Sequence, residues 1–156
     1  MRSWRNYAYP HDTERPGLLV EHGATAWSDE VDLARTGPYR HPTGIAVLPM
    51  NTLPDHEHMF HGDLTPEELG DDSGRKVYTP AEWCDRVCRQ TAAIAEAGGT
   101  VTILAHPLCI KIADDWATFE RLCGFVARFP SVTATQAVER LEATPDAARV
   151  ASAPDR

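Results

Sequence analysis

The chain has 156 residues, of which 42% are hydrophobic and 24% charged, and its formal net charge is −8. This length and balance are typical of one globular domain, and the acidic excess argues against nucleic acid as a partner, because nucleic-acid binders carry clustered Lys and Arg. There is no apolar run of about 18 residues and no apolar stretch near residue 1, so neither a membrane span nor a signal peptide is expected. We therefore expect a cytoplasmic protein with no membrane partner.

The first half of the chain predicts short elements joined by long loops. Residues 14–22 are predicted to form a helix that ends at Gly23, a usual C-terminal stop. Short strands are expected over 24–28 and 44–48, with a polar loop between them. A loop over 50–78 follows, and a loop of that length is either functional or disordered.

The second half alternates helices and strands. Thr79 and Glu82 have the spacing of a capping box, which predicts a helix that runs to Ala97. The further predicted elements are a strand over 100–105, a helix from Asp114 or Asp115 to Phe129, a short strand over 131–134 and a helix over 135–143. Alternation of this kind predicts a parallel sheet with covering helices. The tail over 144–156 is expected to be flexible.

Candidate site residues follow the predicted strands, because ligands in such folds bind beyond the carboxyl ends of the strands. His106 ends the strand over 100–105, and Pro107 stops that strand. An imidazole suits proton transfer near neutral pH, so His106 is either a catalytic group or a structural histidine with satisfied hydrogen bonds. Asp29 follows another strand, where it belongs either to a site or to a solvated acidic turn.

The loop after residue 48 is dense in possible metal ligands. Asp55, His56, His58 and His61 lie close together in sequence, and zinc takes three or four such ligands. The signature His-Glu-x-x-His is absent, however, so we favour a solvated loop or a loop that lines a substrate over a metal site. The four cysteines lack a second Cys or His pair at zinc-finger spacing and are expected to be reduced thiols.

Three stretches together resemble the C-terminal half of the polysaccharide deacetylases, the NodB-homology or carbohydrate esterase family 4 group. Residues 3–10, Ser-Trp-Arg-Asn-Tyr-Ala-Tyr-Pro, are similar to the family's arginine-containing motif. Residues 18–29 resemble its next helix, glycine and strand ending in Ser-Asp. Residues 99–107 resemble the motif in which a strand ends in Leu-x-His.

The resemblance implies an α/β fold, the second half of an incomplete (β/α) barrel over residues 1–143, with parallel strands and covering helices. It also implies a hydrolase that uses a divalent metal such as zinc to cleave an amide C–N bond, for example in an N-acyl sugar. His106 would be the acid that protonates the leaving amine, and Arg5 would orient the base. The residues expected to line the substrate are Tyr9, Asp29, Asp55, His58 and Pro107.

Two family motifs are missing from the sequence. Thr-Phe-Asp-Asp-Gly, which supplies the base and one metal ligand, and His-x-x-x-His, which supplies two more ligands, occur nowhere in the 156 residues. We therefore assign no metal ligand in this chain and expect little activity from it alone. A partner chain that carries the missing half, or a homodimer, would complete the barrel.

Two alternatives remain open from the residues alone. The chain could be a non-catalytic module that binds a sugar or a protein through its acidic loops. It could also be a small metallohydrolase that uses His56, His58 and His61 as a separate metal site.

Overall fold

The computed structural model describes residues 3–5, 14–56, 59 and 78–143. This part of the chain contains four short strands and five helices. They are β1 (Ser3–Trp4), α1 (Arg15–Glu21), β2 (Ala26–Trp27), β3 (Tyr39–Arg40), β4 (Ala46–Val47), α2 (Pro80–Glu96), α3 (Pro107–Asp114), α4 (Ala117–Val126) and α5 (Ala134–Ala143). The contacts divide them into two units, the first from 1–30, 37–49 and 132–156 and the second from 31–36 and 50–131.

The first unit holds a mixed, open sheet in the order β1-β2-β4-β3. β2 runs parallel to β1 and to β4, whereas β3 runs antiparallel to β4. Helix α5 packs on this sheet. The buried side chains that they share are Ala26, Ala46, Leu48, Ala137, Val138 and Leu141.

The prediction of an incomplete (β/α) barrel with parallel strands is therefore wrong. The sheet is open, and its edge strand β3 lies in the segment that we predicted to be loop. A tight hairpin produces this reversal, because the Gly44 amide donates to the His41 carbonyl at 2.8 Å and Gly44 adopts φ 90°. Glycine reaches that left-handed conformation without a steric penalty. The residue pattern did not predict this strand, because prolines flank it and only two of its residues pair.

The second unit packs α2, α3 and α4 around a common core. Its fully or nearly fully buried side chains are Leu53, Tyr78, Trp83, Cys84, Val87, Ile110 and Leu122. The predicted capping box at the start of α2 is confirmed: Thr79 Oγ1 accepts from the Glu82 amide at 3.3 Å, and the Thr79 amide donates to Glu82 Oε2 at 3.0 Å. The Trp83 indole donates to the Leu53 carbonyl at 2.9 Å, which ties α2 to the residues that follow β4.

The second half of the chain departs from the predictions in three places. Residues 100–105 form no strand, and α3 occupies residues 107–114, for which no helix was predicted; the helix predicted from Asp114 or Asp115 to Phe129 is present as the shorter α4. Pro107 begins α3 as well as ending the extended segment, since proline suits the first helical position. Left-handed φ angles at Asp115 and Trp116 separate the two helices. Residues 131–134 are not a strand either, because Thr133 and Gln136 exchange hydrogen bonds that cap α5.

The predicted helix over 14–22 is confirmed as α1, and the predicted helix over 135–143 as α5. The cysteines are free thiols, as expected. None of the helices within the described ranges is long and apolar enough to cross a bilayer.

Candidate functional site

Two extended segments of the second unit lie side by side and create the candidate site. The Thr102 amide donates to Asn51 Oδ1 at 2.9 Å, and the His106 amide donates to Asp55 Oδ2 at 2.5 Å. Both contacts join residues that are 51 apart in sequence, so the two segments run in the same direction in constant register. Side chains of the first segment take the acceptor role that backbone carbonyls have in a β-ladder. The segment over 102–106 is therefore held like a strand without belonging to the sheet.

Asn51 makes the central hydrogen bonds of this arrangement. Its side chain is almost completely buried, with 1% exposed, and Nδ2 donates to the Arg35 carbonyl at 3.1 Å and to the Thr100 carbonyl at 3.0 Å. Together with the bond from Thr102, the amide uses both donor hydrogens and its oxygen. The neighbouring Thr100 amide donates to the Thr36 carbonyl at 2.8 Å, and Gly99 permits that approach, because a Cβ at Gly99 would lie 2.1 Å from the Thr36 carbonyl oxygen.

Asp55 and His106 form a hydrogen-bonded pair at the end of these segments. Asp55 is fully buried, and its Oδ1 lies 2.7 Å from His106 Nδ1 while its Oδ2 accepts from the His106 amide. An ionised carboxylate only accepts hydrogen bonds, so Nδ1 carries a proton and donates it. The ring is therefore fixed in orientation, and Nε2 is the nitrogen left for proton exchange. The His106 side chain is 36% exposed, so solvent reaches it.

A second imidazole lies against this pair. The ring centroids of His56 and His106 are 4.6 Å apart, with an angle of 35° between the ring planes. His106 is also the N-cap residue of α3. A buried carboxylate and two imidazoles thus meet at one helix start, an arrangement that suits general acid–base chemistry.

The structure brings some of the predicted site residues together. Asp55, His106 and Pro107 meet at the start of α3. Asp29 lies in the first unit, where it is buried, accepts from the Trp27 indole at 2.9 Å and pairs with Arg15 at 3.5 Å. Arg5 is exposed and follows β1 in that same unit. Tyr9 and His58 lie outside the described residues.

Neither the role of Asn51 nor the pairing of Asp55 with His106 was predicted from the sequence. A polar Asn directly after the apolar run over 45–50 was a usable signal, because a polar side chain buried beside a strand needs hydrogen-bond partners. The constant separation of 51 residues was not visible as a pattern, since nothing in the sequence aligns the two segments.

The described residues do not fit the divalent metal that the family resemblance implies. Within the described ranges, no group of three or more His, Cys, Asp or Glu side chains is placed to hold a metal ion. His58 and His61 lie outside those ranges. The roles proposed below for Asp55 and His106 concern proton transfer.

Known proteins give no further guide to this site. No family model matches the chain, and no curated protein or solved structure is significantly similar to it. The relation to the polysaccharide deacetylases stays a resemblance in three motifs, and the chemistry has to be argued from the geometry of Asp55 and His106.

Proposed function

We propose that the chain acts in the hydrolysis of an amide C–N bond in a small N-acyl compound, such as an N-acyl sugar, with His106 as the proton donor to the leaving amine. The observation that carries this proposal is the buried Asp55 carboxylate bonded to both the amide and the Nδ1 of His106. That contact orients a solvent-accessible imidazole whose second nitrogen is available for proton transfer.

Amide hydrolysis needs such a proton donor. Water adds its oxygen to the carbonyl carbon, the C–N bond breaks, and the nitrogen leaves as an amine once it gains a proton. Protonated His106 gives the proton from Nε2, and the neighbouring Asp55 stabilises the charged ring before that step. No residue is assigned to the activation of the water.

The motif resemblance supports the same reaction class. In the motif comparison His106 would correspond to the family's conserved-motif histidine, and Arg5 would correspond to the orienting arginine. Because the motifs for the metal and the base occur nowhere in the sequence, we expect slow hydrolysis by this chain alone and faster hydrolysis with a partner that supplies them.

The test is release of free amine from N-acetyl and N-formyl amino sugars, with added divalent metal. We expect slow release by the unaltered chain and a loss of about 100-fold or more in His106→Gln. His41→Gln is the matched control, because His41 lies in the first unit, where its Nδ1 hydrogen-bonds to the hydroxyl and the amide of Thr43. Equal rates in the unaltered chain and in His106→Gln would refute the proposal. Binding of the same sugars without hydrolysis, unchanged in His106→Gln, would favour a binding module.

A further inference from the structure

A cleft between α2 and α4 lies within the second unit, apart from Asp55 and His106. Its volume is about 490 Å³. Helix α2 contributes four residues at the spacing i, i+3, i+4 and i+7, which places them on one face of that helix. Helix α4 contributes Arg121, Gly124 and Phe125, and Arg128 follows the end of α4. The cleft therefore follows the groove between two packed helices.

Three small residues of the lining, two of them half-buried and Gly124 exposed, are called the floor of this cleft. Cys88 and Ala92 come from α2, and Gly124 comes from α4. A Cβ built on Gly124 would meet no atom within 4 Å, so the space beside it is open.

Three guanidinium groups surround the floor. Arg121 is hydrogen-bonded to Asp85, which compensates its charge. Arg89 and Arg128 pair with no carboxylate among the residues that the structure describes. The Arg128 guanidinium carbon lies 4.7 Å from the centroid of the Phe125 ring, which restricts its orientation. Two uncompensated positive charges thus share one cleft in a chain whose net charge is −8.

We propose that this cleft binds the phosphate group of a small phosphate ester. A phosphate monoester carries close to two negative charges near neutral pH, which matches Arg89 and Arg128. Guanidinium groups bind phosphate oxygens through paired hydrogen bonds, and the small floor leaves room for a compact dianion. The organic part of the ester packs against the Phe125 ring. This site is independent of the proposed hydrolysis at His106.

Cys88 provides a reporter inside the cleft. Its thiol is half-buried and lies 4.0 Å from the Sγ of Cys84, which is fully buried. Cys109 and Cys123 lie outside the cleft and are replaced by Ser, so that N-ethylmaleimide reacts first with Cys88. A ligand in the cleft should slow that reaction.

The experiment is a titration with phenyl phosphate at constant ionic strength, followed by backbone amide shifts and by the alkylation rate of Cys88. We expect saturable shifts in α2 and α4, slower alkylation, and binding about five- to tenfold weaker in Arg89→Gln and in Arg128→Gln. Arg86→Gln is the matched control on α2, because its guanidinium carbon lies over the Tyr78 ring and outside the cleft. Gly124→Ala should weaken binding while the helix is kept, since alanine favours helix and occupies the open floor.

Three results would overturn the proposal. The first is an absence of saturable shifts, and the second is equal affinity in the arginine variants and the unaltered chain. The third is binding of a hexaglutamate peptide more than about tenfold tighter than phenyl phosphate, because that would identify a docking surface for an acidic protein segment.

Discussion

Replacing Asn51 by Ala should destabilise the second unit by roughly 3 kcal/mol. The substitution removes three partly buried hydrogen bonds: the Asn51 side chain donates to the Arg35 and Thr100 carbonyls and accepts from the Thr102 amide. Each contributes about 1 kcal/mol, and the partly buried backbone groups that lose this partner add to the cost. A loss of this size is a large fraction of the roughly 5–15 kcal/mol that stabilises a domain.

Urea unfolding followed by circular dichroism measures this loss. Gln90→Ala is the control, because Gln90 Oε1 accepts one bond, from the Leu53 amide at 3.0 Å, and its removal should cost about 1 kcal/mol. Asn51→Asp keeps the oxygen that accepts from the Thr102 amide. Its second carboxylate oxygen, however, faces the Arg35 and Thr100 carbonyl oxygens and is repelled by them, so this variant should lose at least as much stability as Asn51→Ala. The NMR signal of the proton on His106 Nδ1 should also weaken in both variants. Unfolding free energies within about 0.5 kcal/mol of the unaltered chain would refute the role assigned to Asn51.

Three further predictions concern α2. Thr79→Ala should cost about 1 kcal/mol in chemical unfolding, because it removes the capping box, and an unchanged midpoint would contradict that assignment. Thr91→Val should leave stability unchanged or raise it by about 1 kcal/mol in the same assay, since the buried Thr91 hydroxyl has no hydrogen-bond partner among the described residues; a clear loss would argue against this. Burial, with Cys88 nearby, raises the pKa of Cys84 from 9.0 to about 12, so the unfolded chain loses this proton first. The free energy of unfolding should therefore fall as the pH rises from about 9 towards 12, and it should fall less steeply in Cys84→Ala; equal slopes would reject the shift.

Local signals in the sequence predicted the helices well. The Thr79 capping box and the apolar spacing after it define α2 almost to the residue, because both act within one or two helical turns. Helix α3 was not predicted, because Pro107 was interpreted as the end of a strand and not as the first residue of a helix. The start of α4 was predicted close to Asp115 and Trp116, where left-handed backbone separates the two helices.

The sheet was harder to predict because its strands pair over only two residues each. Such strands carry no alternating pattern, and the direction of β3 depends on the turn at Gly44 rather than on its own residues. The strand predicted over residues 100–105 is absent although its pattern is clear. The β-branched residues correctly indicated an extended segment, but that segment is hydrogen-bonded to the side chains of Asn51 and Thr52 and not to a neighbouring strand.

The candidate site was predicted residue by residue but not as a pair. Asp55 and His106 were both named from their positions after predicted strands. Their contact joins two segments that are 51 residues apart, and no local residue pattern predicts which distant segments come together.

The side-chain contacts that replace a ladder have a consequence for mutational tolerance. A backbone ladder accepts many residue types, because the hydrogen bonds belong to the main chain. In this protein the equivalent bonds belong to Asn51 and Asp55, both fully or nearly fully buried. A saturation library should therefore show the reverse of an ordinary core, with apolar residues rejected at these two positions and tolerated at the buried Met50 beside them.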